Sequence, residues 1–250
     1  MGESEKSEPA IAVKALRKSF GDQTVLNGID LAVGQGETLA ILGRSGTGKS
    51  VLLKLIIGLQ APDSGSIRIH GQEVTSLPLD ELNEVRKKVG FLFQYAALYD
   101  SLTVEENVAF PLRRHAAMSA GERKDRVREL LSSVGMEQDL EKMPSQISGG
   151  MQKRVGLARA LALEPDVLLF DEPTAGLDPI TAREIGELML HLQEQRKRAC
   201  IVVTHDIPNA KTVSDRLALM HGGDILVEGT FNDLRESPHE FVAQFLKNAS

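Results

Sequence analysis

Short apolar runs bounded by turn residues alternate along this chain with longer stretches whose apolar positions recur at helical spacing. Ile11–Leu16 and Val25–Val33 predict two β runs around a turn at Gly21–Asp22. Thr38–Leu42 is apolar throughout its last four positions and predicts a fully buried strand, followed by a Gly-rich turn and a helix over Lys49–Leu59. Further strands are expected at Ser66–His70 and Val89–Phe93. A helical middle follows, in which Gly121–Val134 sets Val127, Leu130, Leu131 and Val134 on one face. The strand pattern resumes at Val167–Phe170 and Cys200–Val203, with a helix over Ile180–Gln195 between them, and ends at Arg216–His221 and Ile225–Glu228. Alternation of this kind predicts a mainly parallel sheet with helices on both faces. A last helix near His239–Lys247 carries Phe241, Val242, Phe245 and Leu246 and is expected to dock on its own domain.

Composition narrows the picture. In 250 residues, 42% are hydrophobic and 26% charged, which suits a folded domain with a sizeable core and excludes wholesale disorder. The net charge of −6 argues against a general polyanion binder, so no nucleic-acid partner is expected. The single cysteine, Cys200, excludes an intrachain disulfide framework. Val51–Leu59 and Val167–Phe170, the most apolar stretches, are too short to span a bilayer. The polar start, MGESEKSEPA, has no hydrophobic region behind it and is expected to be a disordered tail over residues 1–9.

Residues 43–50, GRSGTGKS, fit the G-x-x-x-x-G-K-S pattern between an expected strand and an expected helix. Gly43, Gly46 and Gly48 let the backbone wrap a phosphate with its N–H groups inward, and Arg44, Ser45, Thr47 and Val51 belong to the same turn. Lys49 is placed to reach β- and γ-phosphates, and the Ser50 hydroxyl to ligate Mg²⁺. Arg44 either stands beside the phosphates or is a solvated loop residue. A second group, VLLFDE at 167–172, delivers Asp171 and Glu172 to the carboxyl end of a buried strand, where ligands bind in open α/β sheets. There Asp171 can hold Mg²⁺, directly or through water, and Glu172 can orient or deprotonate an attacking water. A third, ISGGM at 147–151, joins an N-capping Ser148 to two glycines whose backbone donors stay open to an anion.

With these three groups in this order, the chain resembles the nucleotide-binding subunits of ABC transporters over about Ile11 to Leu234. Residues 43–50 are similar to that family's Walker A loop, 167–172 to its Walker B strand and 147–151 to its signature. The resemblance implies a P-loop NTPase core with a small N-terminal antiparallel β-subdomain and an inserted helical subdomain at about 95–163. The cassette would cover 10–235 and a C-terminal helix 236–250. It implies ATP and Mg²⁺ as ligands and ATP hydrolysis as the activity. Gln94 stands where the family has a glutamine that meets Mg²⁺, water and the membrane partner. His205 matches the histidine that contacts the γ-phosphate, and Asp178 ends the segment similar to the D-loop. Phe20 falls where an aromatic ring stacks on adenine, or else it is a core aromatic.

The same resemblance implies two copies facing head to tail, with Ser148, Gly149, Gly150 and Met151 of each closing over ATP held by the other. Met151 replaces the family's usual glutamine, and Ala175-Gly176 replaces its usual Ser-Ala. No sustained heptad run separates Lys49 from Ser148, unlike the chromosome-associated ABC ATPases. The implied partner is therefore a separate integral-membrane permease dimer, and the implied location the cytoplasmic face of an inner membrane. Tyr95, Leu98 and Tyr99, just past Gln94, are expected to line a groove for a permease helix. FLFQYAALYDSLTVEENVAFPLR, ISGGM and DEPTAGLDPIT together resemble the ATPases of bacterial phospholipid-trafficking systems, which work with a periplasmic mammalian-cell-entry lipid-binding protein. Small polar solutes and organic solvents are the alternative cargoes.

Overall fold

The computed structural model describes residues 8–247, so residues 1–7 of the expected disordered tail lie outside the described residues. In chain order the elements are β1 (Ile11–Phe20), β2 (Gln23–Val33), β3 (Thr38–Leu42), α1 (Lys49–Ile56), β4 (Ser64–Ile69), β5 (Gln72–Glu73), α2 (Leu79–Lys87) and β6 (Val89–Leu92). There follow α3 (Val104–His115), α4 (Ala120–Ser133), α5 (Gly149–Ala160), β7 (Val167–Asp171), α6 (Pro179–Glu194) and β8 (Ala199–Thr204). The described residues end with α7 (Ile207–Val213), β9 (Arg216–His221), β10 (Asp224–Gly229), α8 (Phe231–Arg235) and α9 (Glu240–Lys247).

Six strands in the order β10-β9-β3-β8-β7-β6 make the central sheet, parallel except where β10 returns beside β9. Every residue of β3, β6, β7 and β8 is buried, the continuous apolar signature of strands covered on both faces. Alternate side chains serve opposite layers. Val167, Leu169, Ile201 and Val203 join α1 and the second sheet in one core, whereas Leu168, Phe170, Cys200 and Val202 join α3, α4, α5 and α6 in another. Burial pushes the Cys200 thiol up to about 12, which makes it a packing group rather than a nucleophile.

The second sheet is antiparallel, in the order β2-β1-β4-β5. Phe20 pairs with Gln23 across the expected turn, where Gly21 takes φ 57°. An N–H···O bond of 2.8 Å from Asn27 to the Gly223 carbonyl ties the two sheets at one corner. β4 follows α1 in sequence yet leaves the parallel layer to pair with β1, a crossover that the strand pattern alone does not reveal.

Helix α1 stops at Ile56 rather than running to Leu59. Gly58 takes φ 68°, and the Leu59 N–H turns back to the Lys54 carbonyl at 2.8 Å, so the apolar run outlasts the helix. α9 lies against the far side of the central sheet, with Val242 and Phe245 buried beside Leu42, Leu219 and Leu234. It therefore docks on its own chain, as expected. Among the described residues no helix is long and apolar enough to cross a membrane.

Candidate nucleotide site

The buried end of β3 feeds directly into the glycine loop. A Cβ on Gly43 would lie 2.7 Å from the Met220 carbonyl oxygen, and Gly48 takes φ 98° with the Val25 carbonyl oxygen 2.9 Å from any added Cβ. Only glycine fits either position without a backbone shift. Lys49 folds back over the loop, donating to the carbonyls of Gly43 at 2.9 Å and Arg44 at 3.1 Å, and the Thr47 hydroxyl donates to Arg44 at 3.0 Å. Helix α1 has no side-chain cap and no acidic residue in its first turn, so its opening amides stay available to an anion.

Strand β7 brings the carboxylates to this loop. The Ser50 hydroxyl donates to Asp171 Oδ1 at 2.7 Å. Burial raises the Asp171 carboxyl above its usual range, and the Ser50 bond pulls it partly back. Glu172 is only 8% exposed and sits in the left-handed region at φ 47°. Its Oε1 lies 3.4 Å from Lys49 Nζ, and its Oε2 accepts from His205 Nδ1 at 2.9 Å. Together with Phe20, Val25, Ser45, Gly46, Ser50 and Val51, the residues Lys49, Gln94, Glu172 and His205 line one cavity of about 640 Å³. A volume of that order suits a nucleotide. Phe20 is 47% exposed and turned to this cavity, which removes the alternative of a core aromatic.

The donor set fits a nucleoside triphosphate with a hard cation. The glycine cradle has no room for a Cβ at Gly43 or Gly48, and the groups from Ser50, Asp171 and Gln94 can offer oxygen, which Mg²⁺ prefers.

Other expected residues lie elsewhere. Ser148 caps α5, accepting the Met151 N–H at 3.2 Å, and neither Gly149, Gly150 nor Met151 reaches the cavity. A Cβ on Gly150 would come within 2.6 Å of Thr181 Cγ2, so this glycine lets α5 approach α6 closely. Asp178 caps α6 through the N–H groups of Ile180 and Thr181, and the Thr181 hydroxyl holds its carboxyl below the usual range. Tyr95 is 83% exposed and Tyr99 is also exposed, its ring tilted against Phe110, but Leu98 is half-buried against the helical core. Arg44, by contrast, does line the cavity; it is exposed, with its guanidinium 5.4 Å from the centre of the Phe241 ring on α9.

Two residues at this site escape sequence reasoning. Phe245 of α9 reaches the cavity wall, a contact that only the chain's return past the sheet creates. Lys153 is buried among the apolar positions of α5, and a lysine in register with Gly150 and Leu157 was the available signal. Its ammonium donates to the Glu172 carbonyl at 3.1 Å and to the Gln94 carbonyl. Burial lowers its pKa to about 8 against the pull of Asp171 and Glu172.

Residues 26–175 match the family model described as ABC transporter. The chain is 42% identical over 237 residues to the probable ribonucleotide transport ATP-binding protein mkl of Mycobacterium leprae (strain TN), covering 95% of this chain and 68% of that protein. It is 41% identical over 238 residues to the methionine import ATP-binding protein MetN of Brucella abortus (strain 2308), covering 95% of this chain and 64% of that one. It thus spans about two thirds of the length of these curated relatives. Among solved structures, the dimeric post-hydrolysis state of the ATP-binding cassette MJ0796 bound to ADP and Pi superposes with a TM-score of 0.82 at 36% identity, over 88% of this chain and 98% of that one. The structure of cbiO1 from Clostridium perfringens, part of the ABC transporter complex cbiONQ, gives 0.81 at 31% identity, over 90% and 89%. The chain belongs to the ABC transporter family and is one of its ATP-binding cassettes.

Proposed function

We propose that this chain is the ATP-hydrolysing subunit of a transporter whose membrane-spanning part is a separate permease dimer. The observation that carries the reading is the Glu172 carboxylate, held between the Lys49 ammonium and the His205 imidazole at the phosphate loop. In the reaction a water oxygen attacks the γ-phosphorus and the bond to the β,γ-bridging oxygen breaks, giving ADP and phosphate. Glu172 accepts the water's proton, and His205 orients that carboxylate and meets the γ-phosphate. Lys49 turns from the Gly43 and Arg44 carbonyls to the β- and γ-oxygens, and Phe20 stacks on the base. Mg²⁺, when held by Ser50, Gln94 and Asp171, supplies charge neutralisation on the β- and γ-phosphates.

Ser148 caps α5, and Gly149, Gly150 and Met151 form its first turn, all outside the cavity, which favours their service to a second copy. Two chains then close head to tail over two ATP, Ser148, Gly149, Gly150 and Met151 of each covering the other's nucleotide, with Asp178 near the seam. Tyr95 and Tyr99, exposed past Gln94, offer the permease its contact on the cytoplasmic face of an inner membrane, with Leu98 behind them.

For cargo, the likeness of 91–113, ISGGM and DEPTAGLDPIT to phospholipid-trafficking ATPases favours phospholipid, with a periplasmic mammalian-cell-entry protein reached through the permease. The relatives named for ribonucleotide transport and methionine import favour a small polar solute instead. Their near-equal identity to this chain under different cargo names fits a cassette that never touches cargo. A tagged chain recovered from detergent-solubilised source membranes decides between the two. The phospholipid reading expects a polytopic permease, a mammalian-cell-entry protein and enriched phospholipid. Recovery of a permease with a soluble solute-binding protein instead removes the lipid assignment and leaves the ATPase reading intact.

A further inference from the structure

Lys153 is 5% exposed, and among the described residues no carboxylate lies within ion-pair distance of its ammonium. An ammonium taken out of water is costly unless its donors are used. Here two are used on main-chain carbonyls from different loops, that of Gln94 at the end of β6 and that of Glu172 at the end of β7. A residue needed only to fill this space would be served by methionine or leucine. What the ammonium adds is a fixed link between the two loops whose side chains face the same cavity.

Both loops need holding. Glu172 takes φ 47°, and Ala96 and Ala97, just past Gln94, take 57° and 48°, conformations that non-glycine residues keep only under constraint. One and a half turns further along α5, the Arg159 guanidinium donates to the Ala96 carbonyl at 2.6 Å and the Ala97 carbonyl at 2.7 Å. The helix that begins at Ser148 therefore carries two cations that clamp the backbone of residues 94–97, and Lys153 extends the clamp to Glu172.

We propose that Lys153 is a positioning residue for hydrolysis, fixing the Gln94 and Glu172 backbones relative to each other so that their side chains flank one attacking water. The inference rests on the ATPase reading above. It predicts a defect in turnover rather than in nucleotide binding, since the hydrogen bonds of Lys153 run to the Gln94 and Glu172 carbonyls and not to the glycine loop.

The test compares Lys153→Met with Lys153→Gln in the full chain, two side chains of matched length that differ in hydrogen-bond donors. Lys153→Met is expected to lower kcat about tenfold or more, as small misplacements of reacting groups do, with KM for Mg-ATP within about twofold of wild type. Lys153→Gln, which keeps donors for the carbonyls, is expected to return kcat to within about threefold of wild type. Equal kcat in the two variants, or a loss that appears in KM instead, overturns the proposal. Should Lys153→Met not fold, Lys153→Gln decides: kcat and hydrogen exchange at residues 94–97 both near wild type support the link, and a kcat lowered about tenfold or more with exchange at residues 94–97 unchanged overturns it. A wild-type chain without ATPase activity instead removes the ATPase reading itself.

Discussion

Glu172→Gln stops turnover and leaves ATP bound. The amide matches the carboxylate in shape and still offers an oxygen to His205, so the cavity keeps its walls. It has no basicity with which to take a proton from water. Loss of a positioned general base typically costs 10²–10⁴ in rate, and kcat is expected to fall by about that factor. Affinity should hold or rise, because the exchange removes a negative charge 3.4 Å from Lys49 Nζ, on the side where the triphosphate brings its own. Phosphate release and nucleotide retained after gel filtration measure both halves. Undiminished steady-state hydrolysis takes Glu172 out of the role of base.

Lys49→Ala has the opposite signature. Among the described residues the ammonium is the one side-chain cation buried at the glycine loop, and its partners there are the Gly43 and Arg44 carbonyls and Glu172. Truncation removes the charge that meets the β- and γ-phosphates, and also the strap that holds the loop in its folded-back shape. Charge-assisted hydrogen bonds contribute about 1.5–3 kcal/mol each, so Kd for Mg-ATP by calorimetry is expected to rise about 10- to 100-fold. Hydrolysis falls with it, through binding rather than through the chemical step alone. An unchanged Kd contradicts the assignment of residues 43–50 as the phosphate loop.

The two substitutions draw on features that differ in how far the sequence displayed them. The phosphate loop and the β7 carboxylates were legible because each needs a local pattern, glycines before a helix or four apolar residues before two acids, and the fold leaves both intact. The β1–β2 hairpin was legible for the same reason, with Gly21 at its turn. The end of α1 was not, since Val51–Leu59 stays apolar after Gly58 has reversed the chain. β4 could not be assigned to its sheet because its alternation is the same whichever neighbour it pairs with. Asp178 was read as part of a functional loop, and the structure shows it also bound as the cap of α6, a role its spacing before Pro179 could have announced. Lys153 and Phe245 depend on contacts between elements far apart in sequence. Only the folded chain sets a lysine against the Gln94 and Glu172 carbonyls, or brings a C-terminal ring to the cavity wall.

The central claim is that each ATP is hydrolysed between the phosphate loop of one chain and the signature of another. Mixing two inactive variants tests it most directly. A Lys49→Ala chain keeps its signature, and a Ser148→Arg chain keeps its phosphate loop; a mixed pair holds one complete site. Phosphate release from the mixture is expected to exceed the sum of the separate variants, approaching about a quarter of wild type for random pairing with independent sites. A mixture no more active than that sum, with mixed pairs shown by differential tagging to form, contradicts a site shared between two chains.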